Sequence, residues 1–186
     1  MSFQSWEQVL INAQASQAGP SATTTETSVL PGAAKFTIPA NFLEIGASLR
    51  ITLIGQMSNV VTTPGTVQFK VKLGSVVAFD CAAQQMSTTA HTTLPHWLDI
   101  LLTCRSIGNS TAAQFMGQGR ATGQMCLRSG ADLATDGVEL SPNAAPALST
   151  GFDSTATQQV DITCTFSTST AGTAYTSQQY VLESLN

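Results

Sequence analysis

His91 and His96 sit in HTTLPHW with four residues between them and Asp99 three further on, the first place to look for a bound metal. On a helix that spacing lets side chains converge. Pro95 interrupts a helix, and the alternation that follows it is a strand's, so the three groups diverge. Both histidines are expected in a loop at the start of a strand. Cys81, Cys104, Cys126 and Cys164 lie far apart with no CxxC pair, which suits neither a zinc site nor a disulfide scaffold. They are expected as buried free thiols acting as small hydrophobes. GQGRATG, from Gly117 to Gly123, is close to a dinucleotide loop, but its glycines are spaced GxGxxxG and no helix follows.

A hydrolase would need a nucleophile with its base, and no GxSxG elbow is present. Spacing alone leaves open that Asp80, Asp99, Asp132, Asp136, Glu139, Asp153 and Asp161 meet in space as a carboxylate pair. Only two Trp and two Tyr accompany them, sparse for a sugar-gripping cleft. GFDST, Gly151 to Thr155, predicts a turn in which Asp153 bonds the backbone two residues on, and DSTATQQ is too poor in acidic oxygens for calcium. The expectation is no enzyme, no cofactor and no metal.

The elements that would carry these residues are mostly strands. In VDITCTF, Val160, Ile162, Cys164 and Phe166 alternate with polar residues, the period of a strand with one buried face. Gln179 to Leu185 reads as another strand, joined to the first through STSTAGTAYTS. The simplest reading is a closing hairpin with Val160, Ile162 and Phe166 on one arm and Tyr180 and Leu182 on the other. SLRITLIGQMSNV and VQFKVKL, separated by VTTPG, predict a second hairpin with Leu49, Ile51 and Leu53 facing Val67, Phe69, Val71 and Leu73. VVAFDCA puts Val77, Phe79 and Cys81 together. In HWLDILLTCRSIG, Leu98, Ile100, Leu102 and Cys104 share one face, and Trp97 and Leu101 lie on the other. AAQFMGQGRATGQMCL reads as a strand weakened by its three glycines, ANFLEIGAS as one helical turn between Asn41 and Gly46, and the loop-like stretch from Arg128 holds a short strand around Val138 to Leu140.

Near the N-terminus, Trp6, Val9 and Leu10 fall at helical spacing after a possible Ser5 cap, for about two turns. Residues 1–26 are expected to form a helical or extended arm, with Trp6 anchoring it on a neighbour or on its own domain. Residues 27–186 are expected to form one all-β domain, a sandwich of jelly-roll type with eight to ten strands and long, uneven connections.

Charged residues make up only 10% of the 186, with a formal charge of -4. Ordinary soluble domains carry about 25%. A neutral surface rich in Ser and Thr resists association poorly, which predicts an assembly that covers much of it. The seven basic residues are scattered, which argues against nucleic acid. Lys70 and Lys72 read as the solvent face of a strand. With no run of 18 apolar residues and no signal-like start, the chain is expected to be soluble, without a membrane partner, and assembled in the cytoplasm.

TSVLPGAAKFTIPANFLEIGASLRITLIGQMSNVVTTPGTVQFKVKLGSVVAFD, WLDILLTCRSIGNSTAAQFMGQGR, STGFDSTATQQVDITCTFSTS and QQYVLESLN together resemble a family of small structural proteins in the virions of tailed bacteriophages and prophages. The resemblance spans about Thr27 to Asn186, and WEQVLINAQA is similar too. It implies a jelly-roll-like virion component and brings no catalytic residues. It does not imply which component; the low-charge surface makes the leading expectation a capsid decoration or head-exterior protein, bound to the major capsid protein or other virion proteins as a homo-oligomer, a trimer by analogy with other virion jelly rolls. The alternative is a receptor-binding or fibre-head module presenting Ser106 to Thr111 and Arg128 to Ala147 to a glycan. A virion glycan hydrolase comes last.

Overall fold

Strands with one apolar face must bury it against something, and here two sheets bury theirs against each other. The computed structural model describes residues 7–60, 65–123, 126–127, 138–142 and 145–185. Along them run β1 (Glu7–Asn12), β2 (Gln17–Ser21), β3 (Thr27–Ser28), a 3-10 turn at Gly32–Ala34, β4 (Thr37–Ile38), β5 (Ser48–Asn59), β6 (Thr66–Leu73) and β7 (Val76–Met86). There follow β8 (His91–Ser106), β9 (Gln114–Thr122), β10 (Cys126–Leu127), β11 (Val138–Ser141), β12 (Gln158–Phe166) and β13 (Ala174–Leu185). Three of the thirteen, β3, β4 and β10, are two-residue pairings, so 13 - 3 leaves ten longer strands among the described residues. No α-helix occurs among them, and so no helix long and apolar enough to cross a membrane.

The larger sheet has the order β1-β13-β5-β8-β9-β11, with β2 also on β13; the smaller has β10-β7-β6-β12-β3, with β4 also on β12. Every pairing is antiparallel. The expected all-β sandwich is therefore present. β6 with β7 and β8 with β9 are hairpins inside a sheet, while most other connections, among them those after β5, β7 and β12, cross between sheets.

Two predicted hairpins are corrected by this topology. β12 and β13 do not pair: Val160, Ile162 and Phe166 line the inside of the smaller sheet and Tyr180 and Leu182 the inside of the larger, all of them buried. β5 and β6 likewise belong to opposite sheets. Alternation reports only that a strand has one buried face, and a successor lying opposite satisfies that face as well as one lying beside it. The connection 167–173 is long enough to bridge sheets about 10 Å apart. A bulge between Ser177 and Gln179 then changes the parity of β13, so that Tyr175 and Ser177 point inward before it and Tyr180 and Leu182 after it.

Of the two forms expected for the N-terminal segment, the extended one is found. Residues 7–12 are a strand, not a helix, paired along Val181 to Leu185 of β13, with Leu10 half-buried against the core and Val9 exposed. Two turns of helix are marginal alone, whereas an open sheet edge offers a row of backbone hydrogen bonds to a segment containing Val and Ile. Trp6 lies outside the described residues. ANFLEIGAS forms two turns rather than one of helix, because Asn41 (φ 59°) and Gly46 (φ 92°) are both left-handed.

Candidate functional site

The outer faces of the two sheets differ in kind. On the smaller sheet the charges neutralise one another. Glu26 lies 2.9 Å from Lys72 Nζ and 3.4 Å from Lys70 Nζ and accepts from the Thr163 hydroxyl at 3.0 Å. The Lys72 contact leads in holding the Glu26 carboxyl below its ordinary value. Asp161 pairs with Lys35 at 2.8 Å and accepts from Ser28 at 2.6 Å; Asp80 accepts from Gln68 at 2.7 Å. Lys70 and Lys72 thus stand on an outer strand face as expected, but within an ion network that segment 22–35 closes.

The larger sheet carries its exposed side chains in cross-strand rows. Ile54, Trp97 and Thr122 form one row, Thr52, Asp99 and Arg120 the next, and Arg50, Leu101 and Gln118 a third, with Glu183 beside Arg50. Trp97 is 46% exposed and Leu101 45%. Between them Asp99 accepts from Thr52 Oγ1 at 2.9 Å and from Arg120 Nη2 at 3.1 Å and Nε at 3.3 Å. The Arg120 side chain is 64% exposed and that of Asp99 22%. A groove of about 480 Å³ runs over Arg50, Asp99, Leu101, Gln118 and Arg120, and a more apolar one of about 320 Å³ over Ile54, Leu94, Pro95, Trp97 and Thr122. The sequence pattern already placed Trp97 and Leu101 outward. The Thr52–Asp99–Arg120 row joins three strands, β5, β8 and β9, whose adjacency the sequence does not disclose.

A second exposed apolar group lies at one end of the sandwich. Ile45 is 68% exposed, and Phe42 and Ile107 are exposed as well. Their loops are tied together: Gly46 N–H donates to Cys104 O at 2.8 Å, Asn41 N–H to Ser154 O at 2.8 Å, and Ser154 N–H to Gly108 O at 3.0 Å.

The other residues singled out by type do not come together. His91 opens β8, with Nε2 3.1 Å from the Ser87 hydroxyl. His96 is not in a loop but buried within β8, stacked on Phe69 at 5.0 Å and edge-on to Tyr175 at 5.8 Å. Burial pushes its imidazole down to about 4. β8 runs through Pro95 because the described β9 pairing ends at Trp97↔Thr122, leaving Pro95 paired only with β5. GQGRATG is mostly strand, and Gly117 makes room for Phe79: an added Cβ would also lie 2.8 Å from Leu102.

Asp153 forms the expected turn, accepting from Thr155 N–H at 2.9 Å and from its hydroxyl at 2.6 Å; that hydroxyl chiefly holds the carboxyl below its ordinary value. Asp80 and Asp161 lie on the smaller sheet, Asp99 on the larger, and Asp153 at the loop end. The side chains of Asp132, Asp136 and Glu139 lie outside the described residues. Cys81 and Cys104 are buried free thiols, Cys81 pushed up to about 12 by burial, and Cys164 is buried in β12. The Cys126 side chain lies outside the described residues, as does most of Arg128 to Ala147. Among the described residues no group of three His, Cys, Asp or Glu is placed to hold a metal.

No family model matches the chain. No curated protein matches it either. Among solved structures it is similar to the CBM2 module of the evolved Dit of Lactobacillus casei BL23 phage J-1, with 10% identity over 98% of this chain and 98% of that one and a TM-score of 0.36.

Proposed function

We propose that the chain is a structural protein of a bacteriophage virion and, within the particle, a capsid decoration protein that binds the head exterior as a homo-oligomer. The observation that carries this reading is the tied loop end with Phe42, Ile45 and Ile107 exposed together. Large apolar side chains held on hydrogen-bonded loops present a docking surface that loses little conformational freedom on binding. The low charge of the whole surface supports covered faces, and the ordered resemblance of LPGAAKFTIPANF, GFDST and YVLESLN to virion proteins supplies the setting. The role requires no catalysis, cofactor, nucleic acid or membrane.

The test is the number of copies per purified particle, by quantitative mass spectrometry against the major capsid protein. Copies on the order of hundreds fit a lattice-bound protein, and a few to a few tens would move it to a vertex, neck or tail and end the decoration reading. Ile45→Asp together with Ile107→Asp should leave a folded protein that is no longer incorporated. The receptor-binding alternative has a support of its own: Trp97 stands exposed, on a sheet face rather than on Ser106 to Thr111.

A further inference from the structure

The structure assigns a binding site for a neutral oligosaccharide to the outer face of the larger sheet, centred on Trp97 and the Asp99–Arg120 pair. The assignment is independent of the decoration reading, which uses the loop end.

A sugar ring has two chemistries, an apolar C–H face and a rim of hydroxyls that both donate and accept. A site that takes it needs a flat apolar plate beside planar polar groups held in fixed directions. Trp97 supplies the plate, with Ile54 next to it in the same row. Two residues along β8, on the same face and about 7 Å away, Asp99 supplies acceptors and Arg120 donors. Thr52 anchors the other carboxylate oxygen, so the pair is oriented before any ligand arrives. The larger groove lies along this polar row, and the apolar groove lies over the indole.

Charge and solvation choose among occupants. Within the rows the charges balance, Arg120 against Asp99 and Arg50 beside Glu183, so the face attracts neither anions nor cations. A second copy or another protein closing over it would strip water from the ion pair in the middle of the patch, a penalty that mutual attraction often fails to offset. Sugar hydroxyls replace that water with hydrogen bonds of the same kind. With one aromatic plate and an open groove, a single site is weak, and avidity comes from repetition on an oligomer.

The experiment is a titration of the ¹⁵N-labelled full chain with maltotetraose, cellotetraose and the β-1,4 tetramer of N-acetylglucosamine, following the Trp97 indole N–H and the amides of β5, β8 and β9. The expected result is a saturable shift of these signals at millimolar concentration by at least one probe. Trp97→Ala should weaken binding by about tenfold or more, and Arg120→Gln severalfold, with backbone spectra otherwise preserved. Lys72→Gln, on the opposite sheet, should bind as the native chain does. No shift with any of the three, or a shift that survives Trp97→Ala, overturns the proposal. So does a concentration-dependent shift of the same signals without sugar, which would make this face a contact between copies.

Discussion

Among the described residues His96 finds no hydrogen-bond partner at either ring nitrogen, and it is buried between Phe69 and Tyr175. Because burial lowers its pKa to about 4, the unfolded chain takes up a proton near the ordinary 6.5 while the folded one does not. Its contribution is therefore full above pH 6.5 and is lost as pH falls from 6.5 towards 4. The expected loss is about 3 kcal/mol of unfolding free energy over that window, and urea titrations at several pH values should show it. His96→Leu should flatten the slope by about one proton. The buried place of His96 was legible in the sequence, because it shares the parity of Leu98 and Ile100; Pro95 obscured it by suggesting that the strand had not yet begun. Its stacking on Phe69 was not legible, since β6 and β8 lie in different sheets.

At the scale of elements, one-sided strands were readable and their partners were not. VQFKVKL and VDITCTF are strands as their alternation predicts. Alternation repeats every two residues in each of them and so cannot say whether the next strand lies beside or opposite. The N-terminal segment could not be told between helix and strand for a related reason: its partner, β13, lies more than 150 residues away. That placement changes what truncation should do. Deleting residues 1–19 removes β1 and part of β2 from β13 and bares its backbone donors and acceptors. The shortened protein should unfold several degrees lower by calorimetry and form soluble aggregates on sizing columns, because an open edge recruits other chains. An equally stable monomer would show that β1 is dispensable to the fold.

The whole molecule is a sandwich with unlike outsides, one sheet closed by its own ion network and the other open over Trp97 and Leu101. Composition announced a surface poor in charge but could not say that the ions of the smaller sheet are tied together by segment 22–35. The position of β13 is a further property of the whole. Of the described strands it is the last to leave the ribosome, yet it lies between β1 with β2 on one side and β5 on the other. Until it emerges, β1 and β2 have no partner in the larger sheet and β5 is left as the edge of β5-β8-β9-β11. Chains shortened by removal of residues 174–185 should therefore lack a cooperative unfolding transition. For a growing nascent chain this means that the first two strands made are the last to find their place, and that one side of β5 stays open to other chains until β13 covers it.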